Sequence, residues 1–457
     1  MAEGSFSERR QRRLRTYTGV AAPRSPAGIA IGPDIADTQV GQAGALTAAN
    51  LLGRSHPSVL LAVPDVPLVI RSPLGGAGLR DACYRVVTGV DPANSVEIVD
   101  TIPKGIASLG LGGRCGDATV YCGGRRWTGV LSGAPVQTTP DPSSTLGLGL
   151  AVTEASSILF RMALGMPARL ETRLSLWTLD DGDGDDTGPA DAGPVDVGRT
   201  WLVGAGAVGS CLAWWLSLVG VKGEWTVVDK DVVKDLNLDR SLAFFAYHTG
   251  EFGGDAVPKA DVVAALIAGS RPILGWWSDW MDTDPPSPDV LFLAANDHGV
   301  RSNVAAYSHP MVIGATTSRN WTAELHRHLV LRDGCVACRF PEGSPVFECA
   351  TGSVEEPGAG PEQAAGDYDE GTSKDASLPF LSAAAGLLGV AALLQVQHGH
   401  WGVHERNHWV LGFDNTAPAV DFHIWPHWPS CATVAEVSVR RVLHASTRWS
   451  SFDQQLG

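Results

Sequence analysis

The chain has 457 residues, 44% hydrophobic and 18% charged, with 53 Gly, 29 Pro and 8 Cys. This composition is globular and long enough for two full cores, which excludes a wholly disordered chain and a small disulfide scaffold. A net charge of −15 argues against nucleic acid as the main partner, and no run reaches the roughly 18 uninterrupted apolar residues of a membrane span.

In chain order, the start MAEGSFSERR lacks the apolar core of a signal peptide, so a cytoplasmic protein is expected. The arm ERRQRRLR, residues 8–15, reads as a solvated basic tail in preference to a binding arm. HPSVLLAVPD, SVEIVD, IASLGLGG and ATVYCGGRRWTGVLSG then read as strands, and LGLGLAVTEASSILFRMALG as a small-residue helix. GGAGLRDACYRVV, residues 75–87, looks like a glycine turn, but VIRSPL before it is a poor strand; a helix start without nucleotide is expected. Together these segments faintly echo the second half and predict a degenerate α/β repeat over 1–180. The acidic, Gly/Pro-rich run DDGDGDDTGPADAGPVDVG predicts a linker over 181–198.

The remainder, 199–457, alternates between strand and helix. TWLV, EWTVVD, DVLFLAA, HPMVIGATTS and HRHLVLRDG read as strands. SCLAWWLSLVG, PKADVVAALIAG and SLPFLSAAAGLLGVAALLQVQHG read as helices, with Pro258 suited to a first helical turn. The polar stretch ATGSVEEPGAGPEQAAGDYDEGTSKDA predicts a mobile insert over 350–376. The fold class expected is α/β: a doubly wound, mainly parallel sheet of Rossmann-like plan, preceded by a degenerate α/β domain of related plan. In such a sheet the ligand sits beyond the strands' carboxyl ends.

The chemistry starts at LVGAGAVGS, where Gly204, Gly206 and Gly209 form G-x-G-x-x-G between a strand and a helix. Asp229 ends the next strand, where a carboxylate can accept from ribose hydroxyls. To this point NAD, FAD and ATP all fit. KDVVKDLNLDRS then stands where a dehydrogenase would place a helix, and it supplies Asn237 and Arg240. Lys259 follows in VPKADVV, and Asp297 ends VLFLAAND. Cations beside a phosphate-cradling turn suit a triphosphate, and an Asp at a strand's carboxyl end suits Mg²⁺. Each also has a plainer reading, Arg240 and Lys259 as surface charges and Asp297 as a helix cap. Their order favours ATP with Mg²⁺ over NAD.

The four ordered motifs GAGAVGS, VVDKDVVKDLNLDRS, PKAD and AANDHGVRSN resemble the ubiquitin-activating-enzyme-like adenylation domain of the ThiF, MoeB and HesA proteins, in a bacterial member. The resemblance covers 197–349 well and continues more loosely to 435. It implies that Asp229 binds the ribose, that Asn237, Arg240 and Lys259 bind the phosphates, and that Asp297 holds Mg²⁺. It implies attack of the C-terminal carboxylate of a ubiquitin-like or sulfur-carrier protein on the α-phosphate of ATP, giving an acyl-adenylate and pyrophosphate. Arg240 and Lys259 would then steady the leaving group, and a conjugating enzyme is a further partner of such pathways. Two alternatives stand beside this: a ribosomal peptide or other small carboxylate as substrate, and a nucleotide-binding scaffold without turnover. The family's dimers place an Arg from a partner's N-terminus at the phosphates. A homodimer or an internal pseudo-dimer is therefore implied, with Arg13 or Arg15 in that role.

GCVACRF places Cys335 and Cys338 at C-x-x-C spacing, half of a zinc site. Cys431 and His427, in DFHIWPHWPSC, would complete a structural Zn²⁺ site, with His423 as the other candidate imidazole. A decayed site and a buried thiol pair remain alternatives. Cys349, in SPVFECATGS, opens the polar insert at a spacing where the resembled family has a cysteine that takes the acyl group as a thioester. A third zinc ligand and an ordinary half-buried thiol are the other readings. Cys211, Cys115 and Cys122 read as structural thiols. His398, His400, His404 and His408 read as a solvated helix end, and the fifteen tryptophans as core packing.

Overall fold

The computed structural model describes residues 8–9, 23–180, 187–190, 195–307, 309–318, 320–329, 333–339, 378–398, 400, 406–413 and 419–425. Its first sheet holds β1 (Ala27–Ile31), β2 (Ser58–Ala62), β3 (Ser95–Ile98), β4 (Ala107–Leu111), β5 (Val120–Arg125), β6 (Thr128–Ser132) and β7 (Thr172–Ser175). Its second holds β8 (Val195–Val203), β9 (Val221–Asp229), β10 (Ser270–Leu274), β11 (Val290–Leu293), β12 (Met311–Thr317), β13 (Thr322–Leu329), β14 (His408–Gly412) and β15 (Ala419–His423). The strand orders are β3-β2-β1-β4-β5-β6-β7 and β10-β9-β8-β11-β12-β13-β14-β15. In each sheet the first five strands of that order are parallel and the rest antiparallel. The chain is thus a doubly wound, mainly parallel α/β protein, and its two sheets are wound alike.

The helices that pack on these sheets include α1 (Gln39–Ser55), α2 (Leu79–Val90), α3 (Thr145–Ala163), α4 (Ala207–Val219) and α5 (Lys259–Leu266). The described residues also hold the short α6 (Trp277–Met281), α7 (His298–Ala306) and α8 (Val336–Arg339), and the long α9 (Pro379–Gln397), which packs on the second sheet. Residues 142–163 and 379–397 are long and apolar enough to cross a membrane, yet 89% and 100% of their most apolar windows are buried inside the fold. Both are core helices, rich in small residues because helices approach them from more than one side.

The two halves share their interior. A single hydrophobic cluster runs from Ala27 to Phe413 through both sheets' helices. Gly149 of α3 lies beneath the Trp215 ring of α4, where a Cβ would come within 2.6 Å of it. Polar side chains stitch the same seam. The Trp214 indole N–H donates to Thr47 Oγ1 at 3.0 Å, Gln39 Nε2 to the Leu218 carbonyl at 3.0 Å, and Arg161 Nη1 to the Phe413 carbonyl at 2.7 Å.

Several expectations shift. β8 starts at Val195, inside the stretch read as linker, because 195–199 pairs with β9 through a bulge. Pro258 caps α5 rather than entering its first turn. The run 75–87 does begin a helix, α2, capped by Gly78. β1 and α1 escaped the sequence reading: AGIAI is short, and α1 has Gly, Ala, Thr and Asn where amphipathic periodicity would show. Its one local signal is Thr38, whose Oγ1 accepts the Gly41 N–H at 3.0 Å. Arg9 departs from the reading of 8–15 as a solvated basic tail, being paired with Asp235 at 3.0 Å and with Glu251 at 2.5 Å; 10–15 lie outside the described residues. Arg13 and Arg15 lie outside the described residues, as does the insert 350–376.

The closest helix contact yields a prediction. A Cβ on Gly386 of α9 would stand 2.6 Å from the Leu212 nitrogen and 2.7 Å from the Cys211 carbonyl carbon, both backbone of α4. Gly386→Val should lower stability by roughly 1–3 kcal/mol or more through overpacking. A denaturant titration would show this as a lower midpoint at unchanged slope.

Candidate active site

The turn after β8 gives each glycine a different task. Gly204 has φ +95°, and its N–H donates to the Val228 carbonyl at 3.0 Å; a Cβ there would strike Ala295 at 2.6 Å. Gly209 lies against the Gly204 carbonyl, where a Cβ would fall 2.0 Å from the oxygen, so its smallness serves helix–strand packing. Gly206 caps α4 without a side chain, and a Cβ there would meet open space. That open side is the floor of a cavity of about 390 Å³. Gly206, Ala207 and Val208 at the positive end of α4 line this cavity, as suits an anion.

Asp229 ties the turn to the end of β9. Its Oδ2 accepts the Ala205 N–H at 2.7 Å and its Oδ1 the Asp231 N–H at 2.8 Å. Burial raises its pKa; the two backbone donors and the Lys259 charge oppose this without overcoming it. The segment after β9 carries a 3₁₀ turn, Asp235–Asp239. Asn237 closes that turn, its Oδ1 accepting the Lys234 N–H at 2.9 Å. Arg240 follows, 5% exposed, with its Nη1 buried and without a hydrogen-bond partner. Lys259, 8% exposed at the start of α5, reaches Asp231 at 3.0 Å. Burial works against the Asp231 carboxylate, but the hydrogen bond and charge of Lys259 outweigh it and hold its pKa low.

Asp297 caps α7, its Oδ1 accepting the Val300 N–H at 3.1 Å. It also lines the cavity. Thus Gly204, Gly206, Asp229, Asn237, Arg240, Lys259 and Asp297 border one space, and Gly209 supports it from behind. Sequence reading missed Lys230, Asp231, Lys234 and Arg301, which border it as well. It also missed Trp276, half exposed on the rim with Lys230 Nζ 4.1 Å from its ring centre. Asp231 was legible as a second acid two residues past Asp229; Arg301 carried no signal beyond its helix.

Beside the cavity wall, Thr316 Oγ1 lies 3.2 Å from His326 Nε2. His326 belongs to a buried cluster with Glu324 and His408 whose ligand-type atoms lie within 4.8 Å of one another. Arg339 supplies the cation there: its Nη2 donates to Glu324 at 3.0 Å and its Nε to His326 Nδ1 at 3.3 Å. Burial opposes the Glu324 charge, but His408 at 3.2 Å and Arg339 hold its pKa down. His408 is therefore a buried residue of β14 and not part of a solvated helix end. His400 stacks on Trp177 at 4.0 Å, and His404 lies outside the described residues.

Cys335 and Cys338 are buried with their sulfurs 3.6 Å apart. Trp425 joins them, its indole N–H donating to the Cys338 carbonyl at 2.9 Å. Cys349, Cys431 and His427 lie outside the described residues. Cys211 and Cys122 are buried, and Cys115 partly so. Burial pushes the Cys211 thiol up to about 12 and that of Cys115 to about 11, which makes both poor nucleophiles.

Strand order, glycine turn and cavity define a Rossmann-like α/β protein with a site at its strands' carboxyl ends. The ThiF family signature matches residues 195–445, more than half of the chain, and the chain belongs to the ThiF family. It is also similar to the SAMP-activating enzyme E1 of Haloferax volcanii, 31% identical over a 185-residue alignment that covers 37% of this chain and 64% of that protein. The match thus spans less than two thirds of that relative. Solved structures of MccB from E. coli align at 13% identity over 69% of this chain. A form with ATP has 98% of its own chain covered at TM-score 0.38, and MccB alone has 95% covered at 0.39.

The unpartnered guanidinium sets a test. Arg240→Met should leave the melting temperature without nucleotide unchanged or higher, because it removes a buried charge that lacks a partner. The same variant should lose the rise in melting temperature that ATP gives the wild type. A variant that melts several degrees lower and keeps the ATP shift would overturn this reading of Arg240.

Proposed function

We propose that the chain is an ATP-dependent adenylating enzyme acting on the C-terminal carboxylate of a ubiquitin-like or sulfur-carrier protein. The observation that carries this is the convergence of Arg240, Lys259 and Asp297 on the glycine turn, with a buried Arg240 nitrogen that lacks a partner. The donor set fits a magnesium triphosphate: cations for the phosphates, Asp229 for the ribose, and a carboxylate, Asp297, for the metal. When bound, Mg²⁺ would neutralise phosphate charge.

The substrate carboxylate attacks the α-phosphorus. A carboxyl O–P bond forms, the bond from the α-phosphorus to the bridging oxygen breaks, and pyrophosphate leaves with that electron pair. A carboxylate needs no base to be a nucleophile, so the protein's work is alignment and charge neutralisation. Arg240 and Lys259 steady the leaving pyrophosphate, and Lys259 exchanges Asp231 for phosphate as it does so. Cys349, as thiolate, then attacks the acyl carbon, expels AMP and carries the acyl group as a thioester. Cys335 and Cys338 are offered as half of a structural zinc site that Cys431 and His427 would complete.

The first sheet is proposed to be an inactive repeat of the second. At its matching turn, between β1 and α1, Asp34 Oδ2 accepts the Gly113 N–H at 2.9 Å. A Cβ on Gly32 would lie 2.2 Å from Asp34 Oδ1. An acidic, crowded turn repels phosphate. The site-bearing half and this repeat would form the internal pseudo-dimer.

ATP–pyrophosphate exchange tests the proposal, with small proteins ending in Gly-Gly as carboxylate partners. Exchange should require the partner and fall by roughly 100-fold or more in Asp297→Ala. A chain that binds ATP yet exchanges no pyrophosphate with any carboxylate would be a scaffold instead. A partner adduct cleaved by thiols and absent in Cys349→Ala would support the second step; an adduct that persists in that variant would overturn it.

A further inference from the structure

The stretch that carries Asn237 and Arg240 is irregular, and irregular backbone needs partners beyond itself. Its N–H groups bond locally: Asn237 to Lys234 at 2.9 Å, Ser241 to Asn237 at 3.0 Å and Phe244 to Ser241 at 3.1 Å. The carbonyls of Leu238, Leu242 and Phe244 turn the other way, toward α1 of the first half. One side chain there meets all three. Arg54, with no solvent exposure, donates Nη1 to the Leu238 carbonyl, and Nη2 to Leu242 at 3.3 Å and Phe244 at 2.8 Å. Asn50, one turn earlier, accepts Arg54 Nε at 2.8 Å and donates to the Leu242 carbonyl at 2.9 Å.

Two of the clamped carbonyls, of Leu238 and Leu242, bracket Arg240 by two residues on either side. Arg240 is therefore the centre of the clamped segment, and its own carbonyl accepts from Cys211 Sγ at 3.6 Å. Packing alone would be served by Leu or Met at position 54, without the cost of burying a guanidinium. A rigid planar fork reaches three carbonyls at once; a lysine ammonium on a flexible stem does not hold the same geometry.

We propose that Arg54 is a positioning residue for the nucleotide site: the first half of the chain holds Arg240 of the second half in its phosphate-facing pose. This rests on the nucleotide reading of the cavity. The repeat is then a working part of the site and not a vestige.

The test uses the full chain and the non-hydrolysable analogue AMPCPP. Arg54→Lys should keep the fold and weaken AMPCPP binding roughly tenfold, with KM for ATP rising in step and KM for the carboxylate partner unmoved. Leu46→Ala, a core truncation on the same helix, should lower the melting temperature and leave both KM values in place. On an Arg240→Lys background, which keeps a cation at the site, Arg54→Lys should weaken AMPCPP binding little further, because the two act as one unit. Tight wild-type binding with Arg54→Lys unchanged, or a loss that adds in full on Arg240→Lys, overturns the clamp alone. A wild-type chain that binds no AMPCPP overturns the nucleotide reading and the clamp with it.

Discussion

The carboxylate of Asp229 is the contact on which the site depends. It takes the Ala205 N–H on one oxygen and the Asp231 N–H on the other. That joins the turn after β8 to the segment after β9, two backbones that no strand ladder connects beyond Val203 and Val228. Buried charge of this kind stands only when its donors are in place. Once they are, the Gly206 end of α4, the 3₁₀ turn with Asn237 and the start of α5 with Lys259 are arranged about one space. Asp231 and Lys259 add a second tie, between the segment after β9 and the start of α5.

Around that space the structure leaves charge deliberately unbalanced. Arg240 has a buried nitrogen without a partner, and Gly206 has open room beside it. Elsewhere buried cations are matched: Arg54 by three carbonyls, Arg327 by Asp333 at 3.0 Å, and Arg339 by Glu324 at 3.0 Å. Among the described residues, a buried guanidinium nitrogen without a partner beside a cavity is the feature that the proposed phosphate would satisfy.

The two sheets are wound alike, but they do not stand apart. Their helices interleave, so that Trp214 bonds Thr47 and Gly149 makes room for Trp215. This shared layer explains why a helix of the first half can reach the backbone behind the site of the second. It also explains the small-residue content of α1, α3 and α9, since helices crowded on several sides leave little room for large ones.

Much of the second sheet and the rim of its cavity could be read locally. Gly204 and Asp229 sit where a strand stops, and strand ends are marked by short apolar runs and the residues that follow them; β11 stops at Leu293, and Asp297, read as the end of that strand, caps α7 instead. Asn237 and Arg240 stood out because a polar stretch occupied the place of a helix. What the sequence by itself determined is therefore the set of strand ends and the residue types placed on them. Only the tertiary structure decided which groups meet from distant segments: Arg54 with Leu238, Arg9 with Asp235, Arg339 with Glu324 and His326, and Lys259 with Asp231. It also decided that β1 and α1 exist, their pattern being masked by burial on every side. The reason is physical: periodicity records one buried face along one element, whereas a hydrogen bond across the fold leaves no trace in the spacing of either partner.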